Sequence, residues 1–237
     1  RGATFNTKLE EQVGEAIAEE AIEAGANLFG GVCVNLPYHP GWGRAQEVYG
    51  EDTFLLGEMG AALIKGVQKK GVIVCVKHFA FNSMENSRFK VSVKCSKRTE
   101  QEVFMPHFRR CVEAGAGAFM SAYNSYQGEL CGQQDYLLNH VLKDKWDFDG
   151  FVLSDFVWGI KDTVASVNGG LDMEMPITHY YGQNLLKAVK AGKVSEDTIN
   201  RSSLRILRTL LAHQSEIDRN HGCLLYTSPS PRDGATS

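Results

Sequence analysis

Residues 149–156 read DGFVLSDF, a short apolar strand that ends in the carboxylate Asp155. Similar apolar runs occur at residues 32–36, 72–76 and 118–122, and stretches with helical spacing separate them. Short apolar strands that alternate with helices predict a parallel sheet buried on both faces. A doubly wound sheet and a (β/α) barrel both fit this α/β pattern.

The residues that follow the strands favour the barrel. Barrel enzymes collect active-site groups at the carboxyl ends of several strands, whereas a doubly wound sheet concentrates them at one crevice beside a Gly-rich turn. The chain contains no G-x-G-x-x-G and no G-x-x-x-x-G-K-[ST] sequence. The polar residues at predicted strand ends are Asn35, Lys77, His78, Tyr123, Asn124, Asp155 and Glu174.

Counting residues 171–175 as a sixth short strand, we find five or six strands, whereas a closed barrel needs eight. We therefore predict an incomplete (β/α)8 TIM-like barrel over residues 1–214. A last helix is expected from about Ser195 to His213, and a capping box at Thr99 and Glu102 is expected to start an earlier one. Residues 215–237 are interpreted as a disordered or foreign tail, because their second half is rich in Ser, Thr, Pro and Gly and has no periodicity.

Composition excludes several classes of partner. The formal net charge is −3, and no basic run compensates, so we expect neither a nucleic acid nor an anionic membrane as partner. No run of about 18 apolar residues predicts a spanning helix. Cys33 and Cys75 lie in apolar runs and are expected to be small buried hydrophobes, and the absence of C-x-x-C pairs argues against a zinc ribbon. The cysteine pattern favours a reducing compartment such as the cytoplasm.

Hydrolysis of a glycosidic bond needs two carboxyl groups, and Asp155 is the best candidate for the nucleophile. Its spacing equally fits a residue that caps the following helix. Lys77 could donate to a sugar hydroxyl and keep Asp155 ionised, whereas His78 could simply be a core histidine. Arg44 fits either a hydroxyl ligand or an ion pair with Glu47.

Six motifs in order resemble the N-terminal barrel domain of glycoside hydrolase family three, which includes β-glucosidases and β-xylosidases. The resemblance runs from about Thr4 to Leu211. The motifs are GWGRAQEVYGED, VKHFAFNSMENSR, SKRTEQEVFMPHF, VEAGAGAFMSAYNSYQG, YLLNHVLKDKWDFDGFVLSDF and NGGLDMEMP.

This resemblance implies a retaining, exo-acting β-glycosidase, specifically a β-glucosidase, that forms a covalent glycosyl-enzyme on Asp155. It implies that Arg44, Lys77 and His78 bind the sugar and that Tyr123 lies near the nucleophile. Phe156 stands where the family often has Trp, so it is expected to contact substrate. The implied substrate is a small-molecule or oligosaccharide β-glycoside.

The family's acid/base Glu usually comes from a C-terminal α/β-sandwich domain, which the resemblance places beyond residue 211 and outside this chain. One branch of the family instead carries its acid/base His in a loop with a sequence like KHFPGHG. This chain has KHFAFNSMENSR at that position, which argues against membership of that branch. The resemblance implies no metal and no organic cofactor.

Two rival functions stay open at the level of sequence. A non-catalytic carbohydrate-binding barrel would keep the hydroxyl ligands without needing Asp155. A barrel lyase or aldolase would instead use Lys77 as a Schiff-base amine.

Overall fold

A computed structural model describes residues 1–221 of the chain, and helices alternate with short parallel strands along it. The helices are α1 (Thr7–Glu23), α2 (Thr53–Gln68), α3 (Lys97–Thr99), α4 (Pro106–Glu113), α5 (Thr163–Asn168), α6 (Gln183–Lys190) and α7 (Glu196–His221). Two further segments, Glu100–Phe104 and Tyr136–Lys145, are π-helical. The strands are β1 (Leu28–Phe29), β2 (Ile73–Phe79), β3 (Ser92–Val93), β4 (Ala118–Ser121), β5 (Ser125–Tyr126), β6 (Glu129–Leu130) and β7 (Phe151–Leu153).

The main sheet has the order β1-β2-β4-β7, and each neighbouring pair is parallel. Isolated bridges extend it, from Cys33 to Lys77 on one side and from Leu153 to Met173 on the other. The predicted strands at residues 32–36 and 171–175 are therefore single bridges rather than ladders. With four strands in the sheet, the barrel is open.

Alternation along β2 explains why both faces of the sheet are apolar. Val74 and Val76 belong to the cluster shared with α2 and α4, while Ile73 and Cys75 face the opposite side. The cluster on the side of Ile73 and Cys75 also contains Ala118, Met120, Phe151 and Leu153. Ile206 and Leu210 of α7 pack against it. The expected burial of Cys33 and Cys75 is confirmed, with exposed fractions of 5% and 0%.

Two helix boundaries differ from the predictions. Helix α7 continues past the expected end at His213, and past the predicted domain limit at residue 214, to His221; residues 222–237 of the predicted tail lie outside the described residues. The capping box at Thr99 is wrong, because the cap is Ser96, whose hydroxyl accepts the Thr99 N–H at 3.1 Å. Glu102 instead pairs with Arg98 at 2.9 Å.

The carboxyl ends of β2, β4 and β7 lie side by side, as parallel strands require. They place His78, Tyr123 and Asp155 at one edge of the sheet. Within residues 1–221, every helix is too short or too polar to cross a membrane.

Candidate active site

Asp155 stands two residues beyond β7, where the chain turns sharply. The turn is fixed from the neighbouring segment: the Ser154 N–H donates to the Met173 carbonyl at 2.9 Å, and the Ser154 hydroxyl accepts the Met175 N–H at 2.9 Å. Gly159 then packs directly on Asp155, since a Cβ there would lie 2.5 Å from the Asp155 carbonyl oxygen. These contacts hold the aspartate rigidly at the strand end.

The Asp155 carboxylate is buried and only half satisfied. Its exposed fraction is 6%; Oδ1 accepts the Phe156 N–H at 2.8 Å, whereas Oδ2 has no hydrogen-bond partner. Burial raises the pKa of Asp155, and the Phe156 N–H, Tyr123 and the positive charge of Arg44 oppose that rise.

A capping role for Asp155 does not fit this geometry. The next helix, α5, begins at Thr163, and its cap is Asp162, whose carboxylate accepts the Ala165 N–H at 2.7 Å. Asp155 is thus free to face a ligand rather than a helix end.

His78 lies near the free oxygen, with 3.7 Å between its Nε2 and Asp155 Oδ2. Its exposed fraction is 2%. Burial first, and then the positive charges of Arg44 and Lys77, lower the pKa of His78 well below its ordinary value. The imidazole is therefore neutral, so its contact with Asp155 is not an ion pair.

Arg44 forms the ion pair with Glu47 that the sequence allowed and keeps one nitrogen beside His78. Its Nε and Nη2 donate to the two carboxylate oxygens of Glu47 at 2.6 and 2.8 Å. Nη1 remains available and lies 3.2 Å from His78 Nε2. Hydrogen bonding to Glu47 and its charge raise the pKa of Arg44, while that same pair lowers the pKa of Glu47. The short turn Ala45–Glu47 brings the two partners together.

Lys77 occupies the same strand end as His78 but faces a different space. It is half-buried and lines a cavity of about 340 Å³ together with Cys33 and Glu47. Its charge acts on His78 and Glu47, but no direct contact with Asp155 is seen.

Tyr123 and Phe156 complete the predicted set. The Tyr123 hydroxyl donates to the Phe156 carbonyl at 2.6 Å. Burial and the adjacent Asp155 charge raise the pKa of Tyr123. The Phe156 N–H donates to Asp155, and its carbonyl accepts from Tyr123. Its side chain is 44% exposed and can contact a ligand.

Arg88 pairs with Glu85 at 2.5 Å. No sequence pattern predicted its place in the site: the guanidinium lies 4.6 Å from the centre of the Tyr123 ring, and its charge reaches Asp155. Glu85 also accepts the Trp42 indole N–H at 3.0 Å, so two loops are tied together around the site. Within residues 1–221, no three His, Cys, Asp or Glu side chains converge as a metal site requires.

Comparison with known proteins agrees with this geometry. The family described as glycosyl hydrolase family 3 N terminal domain matches residues 2–209. The chain belongs to glycoside hydrolase family 3. The open sheet is accordingly part of the family's TIM-like (β/α)8 barrel.

Relatives in the family carry related names. The chain is 40% identical over 210 residues to the thermostable beta-glucosidase B of Acetivibrio thermocellus. The aligned region covers 87% of this chain and 28% of that protein. It is 37% identical to an exo-alpha-(1->6)-L-arabinopyranosidase of Bifidobacterium breve, over 84% of this chain and 26% of the relative. The chain thus spans about a quarter of the length of these curated relatives.

Solved structures of the family superpose closely. The GH3 beta-glucosidase of Bifidobacterium adolescentis gives a TM-score of 0.87 at 34% identity, covering 91% of this chain and 32% of that one. Beta-glucosidase 3B of Thermotoga neapolitana, solved in complex with glucose, gives 0.87 at 33% identity over 93% and 32%.

Proposed function

We propose that this chain is the nucleophile-bearing part of a retaining, exo-acting β-glycosidase, with β-glucosides as substrates. Relatives named as β-glucosidases, and two named as exo-acting enzymes, support the substrate class and the exo action. The arabinopyranosidase relatives make the sugar itself the variable part of the proposal.

The observation that carries the proposal is the free oxygen of Asp155. A buried carboxylate oxygen without a partner is costly, and this one is retained beside Arg44, His78 and Tyr123 at the carboxyl ends of the strands. The buried carboxylate of Asp172 differs, because both of its oxygens accept hydrogen bonds. The free lone pairs are what an attack on an acetal carbon requires.

In the proposed reaction, Asp155 Oδ2 attacks the anomeric carbon and the bond from that carbon to the leaving oxygen breaks. A general acid gives its proton to the leaving oxygen. Water then attacks the same carbon, the bond to Asp155 breaks, and the water proton returns to the acid/base residue. Arg44 donates hydrogen bonds to the sugar hydroxyls, neutral His78 orients Arg44 by accepting from its Nη1, and Lys77 adds its positive charge from the neighbouring cavity.

The proposal places the acid/base Glu in a C-terminal α/β-sandwich domain that acts together with this chain. Proton donation to the leaving oxygen is typically worth about 10²–10⁴-fold. A substrate whose leaving group needs no proton bypasses that requirement, so it can test Asp155 in this chain.

The test is incubation with 2,4-dinitrophenyl 2-deoxy-2-fluoro-β-glucoside, followed by mass spectrometry of the protein and its peptides. The fluorine slows turnover, so the glycosyl-enzyme accumulates. We expect one fluoroglucosyl group on the peptide that contains Asp155, and none in Asp155→Asn. Asp149→Asn is the control, because that carboxylate is 80% exposed and its replacement should leave both the fold and the labelling intact.

Other outcomes would favour the rivals. Saturable sugar binding without labelling would indicate a carbohydrate-binding barrel. Borohydride trapping of a carbonyl compound on Lys77, without labelling of Asp155, would indicate a Schiff-base enzyme.

A further inference from the structure

Asn35 forms an unusual clamp on His78. It is 1% exposed and comes from the segment next to β2 in the sheet, not from the strand of His78 itself. Its Oδ1 accepts the His78 backbone N–H at 2.8 Å, and its Nδ2 donates to the His78 carbonyl at 2.8 Å. One amide side chain therefore hydrogen-bonds both the backbone N–H and the backbone carbonyl of His78.

These two bonds determine which way the Asn35 amide points. A backbone N–H can only donate and a carbonyl can only accept, so the atom facing the His78 N–H must be oxygen. The same oxygen lies 3.2 Å from His78 Nδ1. Nδ1 must then carry the proton, because an amide oxygen cannot donate one.

The other side of the ring leads to the same result. Arg44 Nη1 lies 3.2 Å from His78 Nε2, and a guanidinium has donors only. In a neutral imidazole with the proton on Nδ1, Nε2 holds the lone pair and accepts that hydrogen. Arg44, Lys77 and Arg88 are the cations facing the ring and Asp155 is the anion, and the buried ring stays neutral among them.

We infer that Asn35 is a positioning residue that holds His78 in the Nδ1–H tautomer, so that Nε2 accepts one hydrogen of Arg44 Nη1 and orients that donor beside Asp155. This inference rests on the proposed function for its consequence in catalysis. Arg44 Nη1 carries two hydrogens, so the one not given to His78 can be donated to a sugar hydroxyl.

The direct test is a long-range ¹⁵N–¹H spectrum of histidine-labelled protein. The chain has seven histidines, and His78→Gln identifies the His78 signals. We expect a protonated Nδ1 and a bare Nε2 in the wild type, with a mixture of tautomers in Asn35→Leu. Asn35→Asp keeps the acceptor oxygen, so it should retain the Nδ1–H form and make His78 titrate at a higher pH.

Single-turnover release of dinitrophenolate from the fluoroglucoside gives the second readout. Loss of the oriented acceptor is expected to slow Asn35→Leu about tenfold, the scale of one hydrogen bond, with Asn35→Asp in between. The matched control is Gln134→Leu, which removes a buried amide that donates to the Tyr126 carbonyl at 2.8 Å. It should lose comparable stability while the His78 signals and the rate stay unchanged.

A wild-type spectrum with the proton on Nε2, or one that Asn35→Leu leaves unchanged, overturns the inference. If the spectra agree but Asn35→Leu reacts at the wild-type rate, the positioning role is refuted. If the wild type itself is never labelled, the proposed function fails while the tautomer result still stands or falls on its own.

Discussion

Two buried aspartates stand at neighbouring points of the sheet, and only one of them is fully hydrogen-bonded. Asp155 and Asp172 have exposed fractions of 6% and 7%. Asp172 accepts from Lys143 at 2.9 Å, from Ser202 at 2.7 Å and from the Val152 N–H at 2.8 Å. Asp155 Oδ2 accepts nothing. Burial therefore does not distinguish these two aspartates, whereas the unfilled oxygen of Asp155 does.

Removing the charge of Asp172 should have the largest effect on stability. Asp172→Asn leaves Lys143, 8% exposed in its side chain, as a buried cation without its counter-charge, and we expect a loss of about 3–5 kcal/mol. Urea unfolding measures it. Asp149→Asn, whose side chain is 80% exposed, should change stability by less than about 0.5 kcal/mol; equal losses in both variants would refute the comparison.

Arg44 gives a middle-sized effect that concerns activity rather than stability. Arg44→Lys loses the paired bonds to Glu47 and the Nη1 that reaches His78, so fluoroglucoside labelling should slow about tenfold. The control is Arg110→Lys, which breaks a similar two-bond pair with Glu58 at 2.5 and 3.2 Å on the helical layer. A comparable slowing in the control would mean that the effect is not specific to the site.

The smallest effect is a gain of stability in Asp155→Asn. Because burial raises the pKa of Asp155, the folded chain keeps that proton to a higher pH than the unfolded chain does. The wild type therefore loses unfolding free energy as pH rises from the ordinary Asp value of 3.8 through the raised value. Asp155→Asn has no titrating carboxyl at this position, so its unfolding free energy does not fall in this way.

Urea unfolding at several pH values should show the variant ahead at neutral pH and level with the wild type below pH 3.8. An advantage that is the same at every pH would contradict this origin.

The contrast between local and distant information explains what the sequence could reveal. The alternation of strands and helices, and the carboxylate of DGFVLSDF, are local patterns, so the α/β class and the position of Asp155 could be predicted. The lack of a hydrogen-bond partner for Asp155 Oδ2 could not be predicted. It depends on the positions of Arg44, His78 and Tyr123, which come from three other segments.

Asn35 shows the same limit. Its place at a strand end was recognised, but its hydrogen bonds reach a residue 43 positions away. The cap at Ser96 was missed for a different reason: Ser96 and Thr99 both carry a hydroxyl suited to a cap, and only the backbone conformation decides between them.

Gly159 limits how this site can be altered. Any side chain at that position would press on the backbone of Asp155, since even a Cβ would come within 2.5 Å. Phe156 and Trp158 in the same turn are 44% and 60% exposed, and their side chains can change without moving the carboxylate. Laboratory evolution toward new leaving groups should therefore accumulate replacements at 156 and 158 and conserve glycine at 159.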